Sequence, residues 1–367
     1  MRSGVGAALR DRTRVAAVSS PHIAGAPPAP VDGVLGAIGD TPLVALHRYL
    51  DDGAVAVWAK LEASNPGGSS KDRPAARMLS DALADGRIAA GSTVIESTSG
   101  NMGVGLAQAC RYHGLHLICV VDTRAHETNV RTLRALGADV RVVSCPDPLT
   151  GDLLAARLDL VAQLVAATPG AFWPNQYANA SNPAAHAEGT MREIDEALGG
   201  DVDYVFVATS TTGTLRGCSD YVREQGRPTE IVAVDAVGSA LFGGARADRR
   251  LPGFGAGVET ELSRSARFDL LVRVTDLDCV VGCRRLVDRE AIFAGGSSGA
   301  VASALASVAP RMRPGSRCAL ILPDGGAGYL RTVYDDEWVA STLGRTPEDI
   351  AALVGPGPQR PVAPAAG

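Results

Sequence analysis

Lysine is nearly missing from this chain. Of its 35 basic residues only two are lysines, Lys60 and Lys71, and the rest are arginine. An arginine excess fits codon bias and carries no function by itself, but it makes a lysine in a special setting conspicuous. Aromatic residues are scarce, at 4%, so the core must be assembled from Ala, Val, Leu and Ile. No uninterrupted apolar run approaches the roughly 18 residues that a membrane-spanning helix needs, so no membrane partner is expected. Excess positive charge is also lacking. The formal balance is −5, which argues against a nucleic acid or an anionic membrane as the main partner. The cysteines are seven, an odd number at irregular spacing (110, 119, 145, 218, 279, 283 and 318). That disfavours a disulfide framework and makes a reducing cytoplasm the expected location.

One cysteine group invites a metal reading, because Cys110, His113, His116 and Cys119 recur every three residues. Gly114 breaks the segment, however, and His116 and Cys119 have opposite strand parity and so point to opposite faces. A helix end followed by a strand is favoured, and no metal is expected.

The chain has 367 residues, 46% hydrophobic and 20% charged, an ordinary composition for a globular protein with two domains as the prior. Residues 1–30 are rich in Ala, Pro and Arg, with four arginines in the first 14 positions and no apolar signal core. A disordered extension is expected there, and a disordered tail over 353–367, which contains GPGPQRPVAPAAG. Between the ends, strand and helix patterns alternate. Strands are predicted over 55–61, 92–97, 115–121, 138–143, 202–210, 230–237 and 317–323. Helices are predicted over 72–85, 101–113, 127–137, 191–199, 214–224 and 298–309. Buried strands alternating with helices define an α/β protein with mostly parallel, twisted sheets covered on both faces. The rhythm forms two blocks separated by FWPNQYANASNP (172–183), and a ligand cleft is expected between them.

Four strand–helix junctions carry chemistry. ASNPGGSSKDRPA (63–75) places Lys71 in a turn of small residues that opens a helix. The positive end of that helix would lower the amine pKa, which suits a Schiff-base lysine. A P-loop is the alternative, but the GxxxxGK[ST] spacing is absent. ESTSGNMGVGLA (96–107) and VATSTTGTLRG (207–217) are each a strand, a small polar loop and a helix, arrangements that can nest anions. The bland reading of either loop alone is a helix N-cap. FAGGSSGAVASAL (293–305) presents Ser297 in a glycine-rich turn ahead of a helix. A reactive lysine, two anion nests and a serine fit pyridoxal 5′-phosphate, which needs an amine, a phosphate cradle, and partners for its ring oxygen and ring nitrogen.

The four segments in this order, with IGDTPLV (38–44), resemble the fold-type II pyridoxal-phosphate enzymes of the cysteine synthase/cystathionine β-synthase family over about residues 33–340. The resemblance implies two α/β domains with the cofactor in the cleft. Residues 31–65 and 176–352 would form the larger, phosphate-binding domain and 66–175 a smaller, mobile one, in a homodimer. It implies Lys71 as the Schiff-base lysine, Asn101 at the ring hydroxyl, Ser210, Thr211, Thr212, Gly213 and Thr214 around the phosphate, and Ser297 at the ring nitrogen. Thr98, Ser99 and Gln176 match positions that bind the amino-acid carboxylate. A serine opposite the ring nitrogen, unlike an aspartate, does not hold a pyridinium, which suits β-elimination followed by addition of a nucleophile.

The loop STTGT stands where cysteine synthases typically carry GTGGT. VDAVGSALFGG (234–244), LPGFGAG (251–257) and YLRTVYDDEWV (329–339) look like a narrower group, the N-(2-amino-2-carboxyethyl)-L-glutamate synthases. That resemblance implies O-phospho-L-serine and L-glutamate as substrates, on the way to 2,3-diaminopropionate for siderophores or peptide antibiotics. Arg157 and Tyr177 fall where that group places substrate-contacting side chains, and Arg157 reads equally well as a solvated helix face. PDGGAGYL (323–330) departs from the group, with Gly325 and Gly328 where arginines are expected. Other readings are a cysteine synthase using sulfide, a cystathionine β-synthase, and a silent relative acting as a binding partner. A nicotinamide oxidoreductase would need a GxGxxG after a strand, and none is found.

Overall fold

The computed structural model describes residues 29–355, apart from positions 51, 52, 99, 124, 126, 149, 150 and 152. The ends expected to be disordered lie outside the described residues, except for 29–30 and 353–355. Positions 353 and 354 complete a helix.

Nine strands are described: β1 (Leu43–Ala45), β2 (Ala56–Leu61), β3 (Thr93–Ser97), β4 (His116–Asp122), β5 (Asp139–Val143), β6 (Tyr204–Ala208), β7 (Glu230–Ala236), β8 (Leu270–Val274) and β9 (Arg317–Leu322). The helices are α1 (Asp72–Ala84), α2 (Asn101–His113), α3 (Glu127–Ala135), α4 (Leu153–Ala167), α5 (Ser181–Ala185), α6 (Arg192–Ala197), α7 (Gly213–Glu224), α8 (Glu261–Arg264), α9 (Asp276–Glu290), α10 (Gly296–Val308), α11 (Asp336–Leu343) and α12 (Pro347–Val354). The strands form two sheets, one of six in the order β1-β2-β9-β6-β7-β8 and one of three in the order β3-β4-β5. All pairings are parallel except that of β1 with β2.

Strand parity explains why both sheets are covered on both faces. In the large sheet Phe206, Val232, Val234, Leu320 and Leu322 pack with α9 and α10, while Val205, Val207, Ile231, Ala233 and Ile321 pack with α6 and α7. In the small sheet Val94, Leu117, Cys119 and Val121 face α1, α2 and α3, and Ile95 and Val120 face Val161 of α4. A continuous apolar strand is what such a doubly covered parallel sheet demands. Because β2, β6 and β9 are parallel neighbours, the loops leaving their carboxyl ends open on one edge of the sheet, where α/β proteins bind ligands.

Candidate active site

The turn after β2 carries Lys71, which is the N-cap residue of α1. Close passage of the Asp72 carboxylate requires glycine at 67, where a Cβ would lie 2.5 Å from Asp72 Oδ1. Lys71 is half-buried, and its Nζ donates to Ser70 Oγ at 3.1 Å. Among the described residues no carboxylate forms an ion pair with it. Its pKa is lowered by burial, with Asp324, Glu62 and Asp72 pulling it back up. Loss of water is therefore the largest cause of the shift. Lys60 is the opposite case. It is 2% exposed, lies 2.6 Å from Glu193 Oε2 and donates to the Thr41 carbonyl. Glu193 in turn grips Arg73, which also binds Glu62 through two nitrogens. Burial would raise Glu193, but Arg73 and Lys60 bring it down to about 2. Of the two lysines, only Lys71 is chemically available.

Asn101 opens α2, and its Nδ2 donates to Asp324 Oδ2 at 2.8 Å. The same oxygen accepts from the Tyr329 hydroxyl at 3.0 Å. Ser297 is 9% exposed and is the second residue of α10, which begins two residues earlier than predicted, so the serine sits within the first turn rather than ahead of the helix. Gly325 and Gly328 have no positive φ, and a Cβ at 328 would meet nothing within 4 Å. The backbone therefore does not require glycine at either position.

The loop from Ser210 to Thr214 runs from β6 into α7. Thr211, Thr212 and Gly213 are buried, and Ser210 and Thr214 are half-buried. Thr212 has φ +69°, a left-handed conformation that is uncommon for a β-branched residue and marks a site fixed by its surroundings. Its hydroxyl donates to the Thr211 carbonyl and meets Thr260 Oγ1 at 3.3 Å. Gly213 must lack a Cβ, which would stand 2.0 Å from Asn182 Oδ1. Thr214 Oγ1 lies 3.2 Å from His186 Nε2, and His186 Nδ1 bonds Thr190. His186 opens a π-helical stretch, a feature frequent at functional sites. Burial, then the charges of Lys71 and Arg73, push its pKa far down, so it is neutral.

Around β3, Thr98 is buried and its Oγ1 accepts from Gly103 N at 3.1 Å. Ser99 lies outside the described residues. Gln176 is buried; its side-chain Nε2 donates to the Ser97 carbonyl and its backbone N–H to Glu96 Oε2. Glu96, which the sequence reading passed over, is fully buried. It accepts as well from Ser97 N and Trp173 Nε1, and burial pushes it up to about 7 against those donors. Tyr177 is half-buried, its hydroxyl pushed up to about 12 by burial with Arg157 acting against that. Arg157 is only 12% exposed and lies 3.3 Å from Asp122 at the end of β4. That overturns the solvated-face reading of Arg157. His116 is exposed and Cys119 fully buried on the same strand, and among the described residues no three His, Cys, Asp or Glu side chains gather as metal ligands.

These groups fit pyridoxal phosphate. Lys71 is a half-buried amine without an ion pair. Hydroxyls and the N-terminus of the twelve-residue α7 can receive a phosphate dianion. Asp324 Oδ1 is buried without a hydrogen-bond partner among the described residues, beside the turns that carry Lys71 and Ser297.

Known proteins place the chain in the same class. Residues 34–324 match the model of the pyridoxal-phosphate dependent enzyme family, and the chain belongs to that family. It is 44% identical over 307 residues to N-(2-amino-2-carboxyethyl)-L-glutamate synthase of Ralstonia nicotianae (strain ATCC BAA-1114 / GMI1000), covering 84% of this chain and 90% of that one. Among solved structures it is similar to the O-acetylserine dependent cystathionine β-synthase of Helicobacter pylori, with a TM-score of 0.77 and 28% identity, covering 83% of this chain and 98% of that one. It is also similar to a lysine-to-alanine mutant of O-ureido-L-serine synthase with O-ureido-L-serine bound, with a TM-score of 0.77 and 31% identity over 85% of this chain and 98% of that one. Among the described residues no helix is long and apolar enough to cross a membrane.

Proposed function

We propose that this enzyme joins O-phospho-L-serine to L-glutamate, giving N-(2-amino-2-carboxyethyl)-L-glutamate, as a step toward 2,3-diaminopropionate. The observation that carries the reading is the 44% identity to that synthase over most of both chains. When bound, pyridoxal phosphate supplies an electron sink at the serine α-carbon. With that sink in place the α-proton would pass to Lys71, phosphate would leave with the Cβ–O electron pair, the glutamate nitrogen would form the new Cβ–N bond and lose its proton, and a proton would return to the α-carbon. Lys71 holds the cofactor, and as an amine that burial keeps readily deprotonated it can take up and return protons. Asn101 faces the ring hydroxyl, Ser297 the ring nitrogen, and Ser210 to Thr214 the phosphate. Thr98, Ser99 and Gln176 receive the carboxylate of the serine substrate. Arg157 and Tyr177 receive glutamate, whose two carboxylates call for charge-assisted donors. As part of the same reading, residues 66–175 form the mobile domain and the enzyme works as a cytoplasmic homodimer, which light scattering on the eluted protein tests.

The experiment is incubation of the holoenzyme with O-phosphoserine and either glutamate or sulfide, with products read by mass spectrometry. The glutamate adduct and equimolar phosphate are expected. Cysteine from sulfide with no glutamate adduct would replace this reading with a cysteine synthase. Borohydride reduction and peptide mapping should mark Lys71 and not Lys60. Losing one charge-assisted contact costs about 1.5–3 kcal/mol, so Arg157→Ala should lower kcat/KM for glutamate by roughly ten- to a hundredfold while phosphate release from O-phosphoserine is little slowed.

A further inference from the structure

The motif PDGGAGYL contains an aspartate that the proposed chemistry leaves without a task. Asp324 follows β9 and is 8% exposed. Its backbone is fastened on two sides. Ser69 forms a bridge with it and Ser70 N donates to the Pro323 carbonyl, which ties it to the Lys71 turn. Gly295 N donates to its carbonyl at 3.0 Å, which ties it to the Ser297 turn. Its side chain reaches a third element, α2, through Asn101 Nδ2. The turns of Lys71 and Ser297 and the side chain of Asn101 thus meet at one residue. Room for the carboxylate depends on glycine at 295, where a Cβ would lie 2.0 Å from Asp324 Oδ1.

We infer that Asp324 is a positioning residue for the cofactor site: one carboxylate oxygen fixes the amide of Asn101, and the carboxylate, tied through its backbone to the Lys71 turn, acts on that amine. The inference rests on the reading that Lys71 and Asn101 hold pyridoxal phosphate. With one Nδ2 hydrogen taken by Asp324, the Asn101 amide is fixed in rotation, and its second hydrogen has a set direction for a ring oxygen. Burial raises the pKa of Asp324, and the Asn101 amide, the Tyr329 hydroxyl and the charge of Lys71 act against that to favour its anion, while Oδ1 stays without a hydrogen-bond partner among the described residues, at a cost in stability. The groups facing Asp324 are few. They are Lys71 from the turn before α1, Asn101 from α2, Tyr329 from the following turn and Cys283 from α9. Burial raises the pKa of the Cys283 thiol to about 12 and that of the Tyr329 phenol well above its usual range, so both are neutral near pH 7. Glu62 and Asp72 act with Asp324 on Lys71, after burial.

The test uses the full-length chain freed of cofactor and its Asp324→Ala and Asp324→Asn variants. Affinity for added pyridoxal phosphate is measured by calorimetry. The pH midpoint of Lys71 reductive methylation is read by peptide mass spectrometry, with the ion-paired Lys60 as internal control. Asp324→Ala should weaken cofactor binding at least tenfold. Asp324→Asn, whose oxygen can still accept from Asn101, should recover most of that affinity. Both variants should move the Lys71 midpoint to lower pH, because loss of a nearby anion disfavours the ammonium. Wild-type cofactor affinity in Asp324→Ala, or an unmoved Lys71 midpoint in Asp324→Asn, overturns the inference. If the alanine variant does not fold, the asparagine midpoint decides alone. Wild-type borohydride labelling anywhere but Lys71 would instead count against the cofactor reading, so the two failures are distinguishable.

Discussion

Glu96 is fully buried near the carboxyl end of β3, with the Gln176 and Trp173 N–H groups closing over it. Burial favours its protonated form and the N–H donors favour the anion, with burial prevailing and the pKa pushed from 4.5 up to about 7. The sign of the consequence is fixed by linkage. Between 4.5 and about 7 the folded chain keeps a proton that the unfolded chain has lost. The stability this group contributes is therefore full below that window and falls as pH rises through it. In Glu96→Gln the amide cannot titrate, although its NH2 group faces N–H donors and imposes a constant penalty. The gap in melting temperature between wild type and Glu96→Gln should therefore narrow as pH is raised across the window. A gap that stays constant with pH would show that Glu96 is ionised throughout.

At the scale of elements, α2 was legible to the residue, because a Ser-Gly-Asn start and Gly114 in the left-handed conformation after His113 are local signals. The same holds for the doubly buried strands, whose apolar runs declare themselves. β8 was not legible: it is an edge strand with Leu270 and Arg273 exposed, so neither alternation nor a full apolar run marks it. α4 was missed because it is apolar nearly throughout and lacks a polar face to show its period. Site residues were legible where they sit in small-residue loops, as Lys71, Asn101 and Ser297 do. Asp324, Glu96 and His186 were not, because their roles arise from partners 223, 80 and 28 residues away in sequence. The start of α7 shows both kinds of information at once. Its glycine is visible in the loop, but the reason for it is Asn182, which also donates to the Gln176 carbonyl at 2.8 Å. Gly213→Ala should drive Asn182 off that carbonyl, since overpacking a close contact costs typically 1–3 kcal/mol. The expected result is a lower melting temperature together with at least tenfold weaker uptake of pyridoxal phosphate in calorimetry. Unchanged values for both would mean that the loop and Asn182 separate at no cost.

Over the whole molecule, each sheet has its own pair of apolar layers, so neither depends on the other for its core. What joins them near the cleft is polar and local. Asn101 reaches Asp324, Gln176 lies on Glu96 and the Ser97 carbonyl, Ser181 donates to Asp81 at 2.6 Å, and Arg77 meets Glu188. The buried Arg73 pairs with Glu62 and Glu193 would serve as the fixed point, and we expect the two bodies to rotate about it at small cost, because the more exposed seam bonds exchange with water for roughly 1 kcal/mol each, whereas breaking either core would cost far more. An amino acid whose carboxylate binds the loop at 98–101, while the rest of it stays near Lys71, would draw the three-stranded sheet toward the six-stranded one and exclude water from the reacting atoms. Crystals of the holoenzyme with and without an amino-acid ligand should then superpose closely sheet by sheet and poorly as a whole. In solution, Trp173, whose indole bonds Glu96 beside that loop, should change its emission when the ligand binds. Structures that superpose as a single body would mean that the cleft is preformed and that water is excluded by the substrate alone.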